Sequence, residues 1–251
     1  MSGARKVHER AIRYSVEGVE HEGFFALPEG ATREAPVPGI LVIHYWLGVT
    51  PETRSKASAL AREGYAAFAV DVYGIPYHPK NREEAGAIIA RYKQDRALFR
   101  KKLNAGLELL AGLEGVDAAK LSATGYCFGG TGAIELARSG AAVKGVAIKG
   151  VVSFHGGLDS PDPAAGRNIR CKVLAFHGAD DPFVPAADLA AFENEMREHK
   201  VDWQLVKFGG VVHSFTNPEA GDDPSKGMAY DARADRRSWQ GMKEFFVEIF
   251  Q

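Results

Sequence analysis

Short runs of apolar residues recur along the chain and alternate with segments whose apolar residues have helical spacing. The runs at 39–44 (GILVIH) and 65–71 (YAAFAVD) are nearly uninterrupted, which is typical of strands buried on both faces of a sheet. A segment of helical spacing lies between them, at 52–64, and ends on a glycine. Because parallel strands need a crossover connection, this alternation predicts an α/β fold, with a mostly parallel central sheet and helices on both faces.

The rest of the chain continues this pattern after an antiparallel start. Residues 11–16 (AIRYSV) and 23–27 (GFFAL) are β-prone and are separated by EGVEHE, which predicts an N-terminal antiparallel hairpin. Residues 83–113 have a long, charged helical pattern. Further strands are predicted at 121–127, 148–156, 172–181 and 202–208, and further helices at 129–140, 186–199 and 232–250. The chain shows no internal repeat or linker, so we predict one domain over residues 1–251.

Composition and charge narrow the classes of partner. The 251 residues carry a formal net charge of -1, so we expect no nucleic-acid-binding or membrane-binding surface. No apolar run reaches the roughly 20 residues of a membrane-spanning helix, and the N-terminal segment lacks the apolar core of a secretory signal. Two cysteines do not make a disulfide framework. These features favour a cytoplasmic protein, and they leave its oligomeric state open.

One cysteine stands where a predicted strand meets a predicted helix. It is Cys127, in the stretch GYCFGGT. The pattern G-x-C-x-G is that of a nucleophile elbow, a sharp turn in which Gly125 and Gly129 remove Cβ atoms that would clash. The N-terminus of a helix also favours the thiolate form of a cysteine. We therefore interpret Cys127 as a nucleophile rather than as a small core residue, and Cys171 as structural.

Two other reactive groups follow predicted strands. Asp180 and Asp181 come after KVLAFHGA, and His213 comes after DWQLVKFGGVV. In an open parallel sheet, ligands bind outside the carboxyl ends of the strands. The order nucleophile, acid, histidine along the chain is the order of an α/β-hydrolase triad. The residues themselves leave the choice between the two aspartates open.

In these motifs the chain resembles the dienelactone hydrolase family, a branch of the α/β hydrolases with a cysteine nucleophile. The matching segments run from about residue 22 to the C-terminus and are GILVIHYWLG, GYAAFAVDVYG, GYCFGG, FHGADDPFVP and HSFTNP. The resemblance implies an α/β-hydrolase fold and hydrolysis of a carboxylic ester or lactone through an acyl-enzyme, with no metal ion or organic cofactor. It implies a triad of Cys127, Asp181 and His213, since the family acid directly precedes the xFVP tail.

The resemblance also implies an oxyanion hole and a substrate pocket. The backbone N–H groups of Phe128 and Trp46 would hold the oxyanion. Predicted loops at the carboxyl edge of the sheet carry several aromatic side chains, which favours a moderately apolar substrate. The expected pocket residues are Tyr45, Tyr73, Phe183, Phe215 and Asn217.

Two of these positions depart from the family pattern. Tyr45 stands where the family has a glutamate that takes part in activating the cysteine, so activation would rest on His213 directly. Asn217 stands where the best-known members have an arginine that clamps the substrate carboxylate. An amide does not replace a bidentate arginine, which argues against dienelactone itself as the substrate.

Other functions are compatible with the same residues. An acyl-enzyme formed from a thioester, or resolved by an amine or alcohol, would make the protein a thioesterase or acyltransferase. Without the family glutamate, the site would also suit a thiol sensor or a ligand-binding relative. Three histidines end predicted strands, at His44, His155 and His177. No metal-ligand spacing accompanies them, so we expect each to bond to nearby backbone rather than to a metal ion.

Overall fold

The computed structural model describes residues 5–251, in which strands and helices alternate. The strands are β1 (Val7–Val16), β2 (Val19–Pro28), β3 (Val37–Ile43), β4 (Ala66–Val70), β5 (Val116–Tyr126), β6 (Ala142–Val143), β7 (Val146–Ala147), β8 (Gly150–Phe154), β9 (Lys172–Gly178) and β10 (Trp203–Phe208). The α-helices are α1 (Pro51–Glu63), α2 (Arg82–Gln94), α3 (Arg96–Gly112), α4 (Phe128–Arg138), α5 (Ala186–Glu198) and α6 (Ala232–Ile249). Short 3₁₀ segments lie at Ile75–Tyr77, Pro163–Asn168, Pro218–Ala220 and Pro224–Lys226. Within the described range, no helix combines the length and apolarity needed to cross a membrane.

The fold is that of an α/β hydrolase, as the sequence predicts. It contains an eight-stranded, mostly parallel sheet that begins with the antiparallel hairpin of β1 and β2. By their internal packing, the described residues divide into two compact units. The first comprises 5–124 and 142–148, and the second comprises 125–141 and 149–251. One domain over residues 1–251 stays a prediction.

In the first unit the strands lie in the order β1-β2-β4-β3-β5. β3 and β4 are parallel, whereas β2 is antiparallel to both β1 and β4. Every residue of β4 is buried, as its uninterrupted apolar sequence predicts. Helix α3 packs on β3 and β4. Gly106 allows this close approach, because a Cβ there would lie 2.4 Å from Cγ2 of Val70.

The N-terminal hairpin is tighter than the sequence indicates. Each strand has ten residues, and Glu17 and Gly18 alone form the connection instead of the six residues EGVEHE. Both have positive φ, 53° and 77°, as in a two-residue type I′ turn, whose twist matches that of the strands. Glutamate rarely adopts this conformation, which is why the sequence does not indicate the turn.

The helical pattern at 83–113 is divided in the structure. Helix α2 ends at Gln94 and α3 begins at Arg96, because Asp95 leaves helical dihedral angles. The Asp95 carboxylate accepts a hydrogen bond of 2.8 Å from the backbone N–H of Leu98, which caps α3. The short hairpin of β6 and β7 is a further element that the sequence does not predict.

In the second unit β8, β9 and β10 are parallel neighbours in that order. Helix α4 packs against β8, and α6 packs against β8 and β9. The side chains of Phe154 and Phe176 are buried, with ring centroids 5.1 Å apart. The segments that follow these three strands carry His155, Asp181 and His213, so the parallel register places all three at one edge.

A fully buried arginine, Arg138, holds the last turn of α4. Its guanidinium donates to both carboxylate oxygens of Glu195 on α5, at 2.9 and 2.6 Å, and to Glu135 at 2.8 Å. The carbonyl oxygens of Leu158 and Asp159 accept two further hydrogen bonds. All five N–H donors are therefore used, which is what a buried guanidinium requires.

A second buried titratable group lies in the first unit, at the end of β3. The Nδ1 of His44 donates to the carbonyl of Tyr45, and its Nε2 accepts from the backbone N–H of Val72 at 3.2 Å. These partners require the neutral ring with its proton on Nδ1. Burial lowers the pKa of His44 to about 4.

Candidate active site

Cys127 lies at a sharp turn where β5 runs into α4. Its φ of 54° and ψ of -115° are unfavourable for an L-residue. Gly125 makes the turn possible, because a Cβ there would lie 1.9 Å from the carbonyl oxygen of Gly129. A strained strand-to-helix turn of this kind is the geometry of a nucleophile elbow.

Two further glycines bring α4 close to the segment after β8. A Cβ on Gly130 would lie 2.7 Å from the carbonyl oxygen of Phe154, and a Cβ on Gly156 would lie 2.5 Å from the nitrogen of Thr131. The elbow therefore depends on two chain segments. Its sequence motif describes one of them.

The side chains of Cys127, Asp181 and His213 form a continuous line of hydrogen bonds. Nδ1 of His213 lies 2.8 Å from Oδ2 of Asp181, and Nε2 lies 3.1 Å from Sγ of Cys127. The other carboxylate oxygen of Asp181 accepts from the backbone N–H of Phe183 at 2.9 Å. The Asp181 side chain is fully buried, and Cys127 is half-buried.

The electrostatics of this line favour a proton on His213. Burial alone would lower the pKa of the imidazole. Hydrogen bonds to Asp181 and Cys127, together with the negative charges of both groups, outweigh burial and raise the pKa of His213 to about 10. His213 can therefore carry a proton on each ring nitrogen, with Nδ1 directed at Asp181 and Nε2 at Sγ of Cys127.

Backbone contacts hold the acid segment to the histidine segment. The backbone N–H of Asp180 donates to the carbonyl of Val211 at 3.0 Å. Gly178 packs against the same carbonyl, since a Cβ there would lie 2.5 Å from its oxygen. Asp180 itself is exposed. Of the two adjacent aspartates, Asp181 is the one that reaches His213.

The segment after His213 contains two short 3₁₀ turns and is held by backbone hydrogen bonds. The backbone N–H of His213 donates to Gly227 at 3.2 Å, and its carbonyl accepts from Ala229 at 3.1 Å. Gly227 has a φ of 78°, and a Cβ there would lie 2.8 Å from the ring of Pro182. The loop thus braces both the histidine and the acid segment.

The predicted pocket residues of the second unit have different environments. The ring of Phe183 is 56% exposed and meets the ring of His213 edge to face, with centroids 5.3 Å apart. Phe215 is fully buried and packs in the core. Oδ1 of Asn217 accepts from the backbone N–H of Glu219 at 2.8 Å, so this amide caps a 3₁₀ turn. Phe183 is thus the member of this group that contacts the hydrogen-bonded line.

The other predicted residues are Phe128, which begins α4, and Tyr45, Trp46 and Tyr73, which lie in the first unit. Tyr45 and Tyr73 are buried. The hydroxyl of Tyr73 donates to the carbonyl of Trp46 at 2.9 Å, and the Trp46 ring lies 5.8 Å from the guanidinium carbon of Arg82. Their oxyanion and pocket roles stay predictions.

The three strand-end histidines differ from one another. His44 bonds to neighbouring backbone, as expected. His155 instead bonds to the backbone of Cys127, far away in the sequence, and to the side chain of Thr216. Nδ1 of His177 has no hydrogen-bond partner among the described residues. Over residues 5–251, no three His, Cys, Asp or Glu side chains are grouped so as to hold a metal ion.

Comparison with known proteins adds family membership to this geometry. The model of the dienelactone hydrolase family matches residues 22–250. Among solved structures, the chain is similar to the dienelactone hydrolase-like promiscuous phosphotriesterase P91 from metagenomic libraries, at 37% identity and a TM-score of 0.90, with 98% of this chain and 99% of that chain covered.

Two curated relatives extend the comparison. An uncharacterized protein of Caenorhabditis elegans is 34% identical over 156 residues, which are 61% of this chain and 94% of the relative. A protein of Synechocystis sp. with the provisional name carboxymethylenebutenolidase is 25% identical over 243 residues, which are 92% of each chain. The family match spans most of the chain, so the protein belongs to the dienelactone hydrolase family and is a hydrolase of that family.

Proposed function

We propose that the protein hydrolyses a carboxylic ester or lactone through an acyl-enzyme on Cys127, with His213 as acid and base and Asp181 as its orienting partner. The observation that carries this proposal is the line of hydrogen bonds from Asp181 through His213 to Cys127, at 2.8 and 3.1 Å. Family membership supports it independently, because the family is named for hydrolysis of a lactone.

In the acylation step, the Cys127 thiolate attacks the carbonyl carbon and forms a carbon–sulfur bond. The tetrahedral oxyanion is held by backbone N–H groups, for which Phe128 and Trp46 are the predicted donors. As the carbon–oxygen bond of the ester breaks, the His213 imidazolium gives its Nε2 proton to the leaving alkoxide. The products of this step are a thioester on Cys127, the alcohol and a neutral imidazole.

Deacylation reverses these roles with water. Neutral His213 takes a proton from a water molecule, whose oxygen attacks the thioester carbonyl. The carbon–sulfur bond breaks, the carboxylic acid leaves and the thiolate–imidazolium pair is restored. Asp181 accepts a hydrogen bond from the Nδ1–H of His213 throughout, which fixes the ring orientation and keeps Nε2 directed at the sulfur.

The proposal predicts that Cys127→Ala abolishes hydrolysis of p-nitrophenyl acetate while the fold is retained. Loss of the nucleophile is expected to lower kcat by about 1000-fold or more. In the native protein, intact-protein mass spectrometry during turnover is expected to show a transient acetyl group, which peptide mapping assigns to Cys127. The other cysteine, Cys171, serves as an internal control, because burial raises the pKa of its thiol to about 12.

Normal turnover by Cys127→Ala, or an acetyl group on another residue, would overturn the choice of nucleophile. If the native protein releases no phenolate although Cys127 reacts with iodoacetamide, the thiol-sensor or ligand-binding function gains support. A panel that includes a thioester and an amine acceptor distinguishes a thioesterase or acyltransferase from an esterase, since all would use the same triad.

A phosphotriester is a second candidate substrate class. The specific reason is the similarity to P91, whose name describes a promiscuous phosphotriesterase. The same thiolate can attack phosphorus in place of a carbonyl carbon. Release of p-nitrophenolate from a diethyl aryl phosphate by the native protein, and its loss in Cys127→Ala, would assign this activity to the same site.

A further inference from the structure

His155 is a buried titratable residue that the proposed chemistry does not use, yet it contacts the backbone of the proposed nucleophile. The N–H of Cys127 lies 3.1 Å from Nδ1 of His155 and 3.0 Å from the carbonyl oxygen of Phe154. On the other side of the ring, Nε2 lies 2.8 Å from Oγ1 of Thr216, in the segment that follows His213. One imidazole therefore joins the elbow to the histidine segment.

These partners determine the protonation form of His155. A backbone N–H can only donate, so Nδ1 must be the unprotonated nitrogen. The ring proton is then on Nε2 and is donated to Thr216. A proton on Nδ1 would set two donors against each other at Cys127. With its one proton on Nε2 the ring of His155 is neutral, and a second proton would place an imidazolium 5.1 Å from the ring of His213.

The ring of His155 has little freedom to move. Its backbone N–H donates to the carbonyl of Phe176 at 2.8 Å, and its side chain is fully buried. The next residue, Gly156, is in tight contact with the backbone of α4. The imidazole is thus a fixed acceptor, against which the amide of the elbow is held in its unfavourable conformation.

We propose that His155 is a positioning residue that holds the amide of Cys127 and so keeps its Sγ within hydrogen-bond distance of His213. This inference rests on the proposed function, since it concerns the placement of that nucleophile. Misplacement of a reacting group by about 1 Å lowers reaction rates by about 100-fold. Loss of the bond is therefore expected to lower kcat and to leave KM almost unchanged.

Two substitutions by amide side chains distinguish the effect of the hydrogen bond to Cys127 from the effect of packing. In His155→Asn, the side-chain oxygen can replace Nδ1 as the acceptor, and asparagine tolerates the φ of 39° at this position. In His155→Gln, the amide reaches further, toward Thr216, and leaves the N–H of Cys127 without this acceptor. We expect His155→Gln to lower kcat for p-nitrophenyl acetate by about 10- to 100-fold, and His155→Asn by less than about fivefold.

A second readout does not depend on ester turnover. The rate at which iodoacetamide alkylates Cys127 is expected to fall in the same order, native, His155→Asn, His155→Gln. The matched control is His177→Asn, which changes a buried strand-end histidine whose Nδ1 has no hydrogen-bond partner within residues 5–251. Its alkylation rate is expected to equal that of the native protein. Urea unfolding of each variant measures stability separately.

Equal alkylation rates in the native protein and both His155 variants would overturn the proposal. It would also be overturned if the decrease in alkylation rate only paralleled the decrease in stability. If His155→Gln does not fold, Thr216→Val tests the proposal instead, because it removes the hydrogen-bond partner of His155 Nε2 and leaves the residues of the elbow unchanged. A lower alkylation rate at an unchanged unfolding midpoint supports the positioning role, and an unchanged rate overturns it. If the native protein turns over no ester, the proposed function fails while the alkylation rates still decide the role of His155.

Discussion

At the scale of single residues, Asp180 and Asp181 show how one step along a turn creates two environments. The carboxylate of Asp181 is buried and accepts hydrogen bonds from His213 and from the backbone N–H of Phe183. Asp180 is exposed, and its backbone N–H joins the acid segment to Val211. The same residue type therefore contacts the proposed catalytic histidine through its side chain at one position and holds a neighbouring segment through its backbone at the other.

This difference leads to a prediction for Asp181 that has a matched control at Asp180. Asp181→Asn removes the carboxylate that raises the pKa of His213, so the pKa of His213 is expected to fall. The kcat for p-nitrophenyl acetate is expected to decrease by at least about 100-fold, because the amide no longer fixes the imidazole tautomer. NMR titration of the histidine ring protons measures the first effect, and steady-state kinetics measures the second.

Asp180→Asn is the matched control, since it changes an exposed carboxylate and keeps the backbone bond to Val211. Its kcat and its His213 titration are expected to equal those of the native protein. If Asp180→Asn loses as much activity as Asp181→Asn, the assignment of the acid is wrong.

At this scale the sequence indicates which residues have a special role better than it indicates which residues are in contact. The glycines around Cys127 and the order cysteine, aspartate, histidine along the chain are sufficient to indicate the elbow and the acid–base pair. The choice of Asp181 over Asp180 depends on the family resemblance. The bond between His155 and Cys127 joins two strands far apart in the sequence, and its residue type gives no signal of that contact.

At the scale of elements, helix α4 is fixed at both ends. Its first turn follows the strained elbow, and its last turn is held by the guanidinium of Arg138. The sequence predicts the helix from its spacing and its closing Gly140. It does not predict that Arg138, Glu135 and Glu195 are buried together, because such residues are ordinarily exposed. Partners on another helix are not visible in a local pattern.

Arg138→Lys is expected to destabilise the protein by about 3–5 kcal/mol, because an ammonium cannot replace the bidentate bonds and leaves buried carboxylates poorly paired. Urea unfolding followed by tryptophan fluorescence measures the change. The matched control is Arg197→Ala on α5, whose partner Glu193 forms an exposed ion pair with it, and it is expected to change stability by less than about 1 kcal/mol. Equal effects of the two substitutions would contradict the role of the buried network.

At the scale of the whole molecule, the alternation of apolar runs and helical segments is sufficient to predict an α/β fold with a mostly parallel sheet, and the family resemblance adds the α/β-hydrolase fold. The two-residue turn at Glu17, the break at Asp95 and the β6–β7 hairpin are not predicted. Each depends on one backbone conformation, whereas the apolar pattern averages over many residues. Sequence patterns therefore describe layers better than they describe connections.

Stability of the whole chain is expected to fall in acid because of His44. An unfolded histidine has a pKa of about 6.5, whereas His44 in the fold has a pKa of about 4. As pH decreases from about 6.5 to 4, the unfolded state binds the proton first, so stability that is present above pH 6.5 is lost. The decrease is about 3 kcal/mol, measured by urea unfolding at a series of pH values.

His44→Asn is expected to flatten this slope, because the amide can still donate to the Tyr45 carbonyl but does not titrate. His8→Asn, which changes an exposed histidine, is expected to leave the slope unchanged. A slope that is the same in all three proteins would exclude His44 as its source.

The hydrogen bonds of His44 and His155, together with the raised pKa of His213, imply three different protonation forms in one molecule. His44 carries its proton on Nδ1 and His155 carries its proton on Nε2, whereas the pKa of His213, raised to about 10, favours protons on both nitrogens. A simulation or docking study that gives every histidine the same default form would break contacts at two of the three sites before it began. Nitrogen chemical shifts of the isotope-labelled protein would display all three forms in a single spectrum.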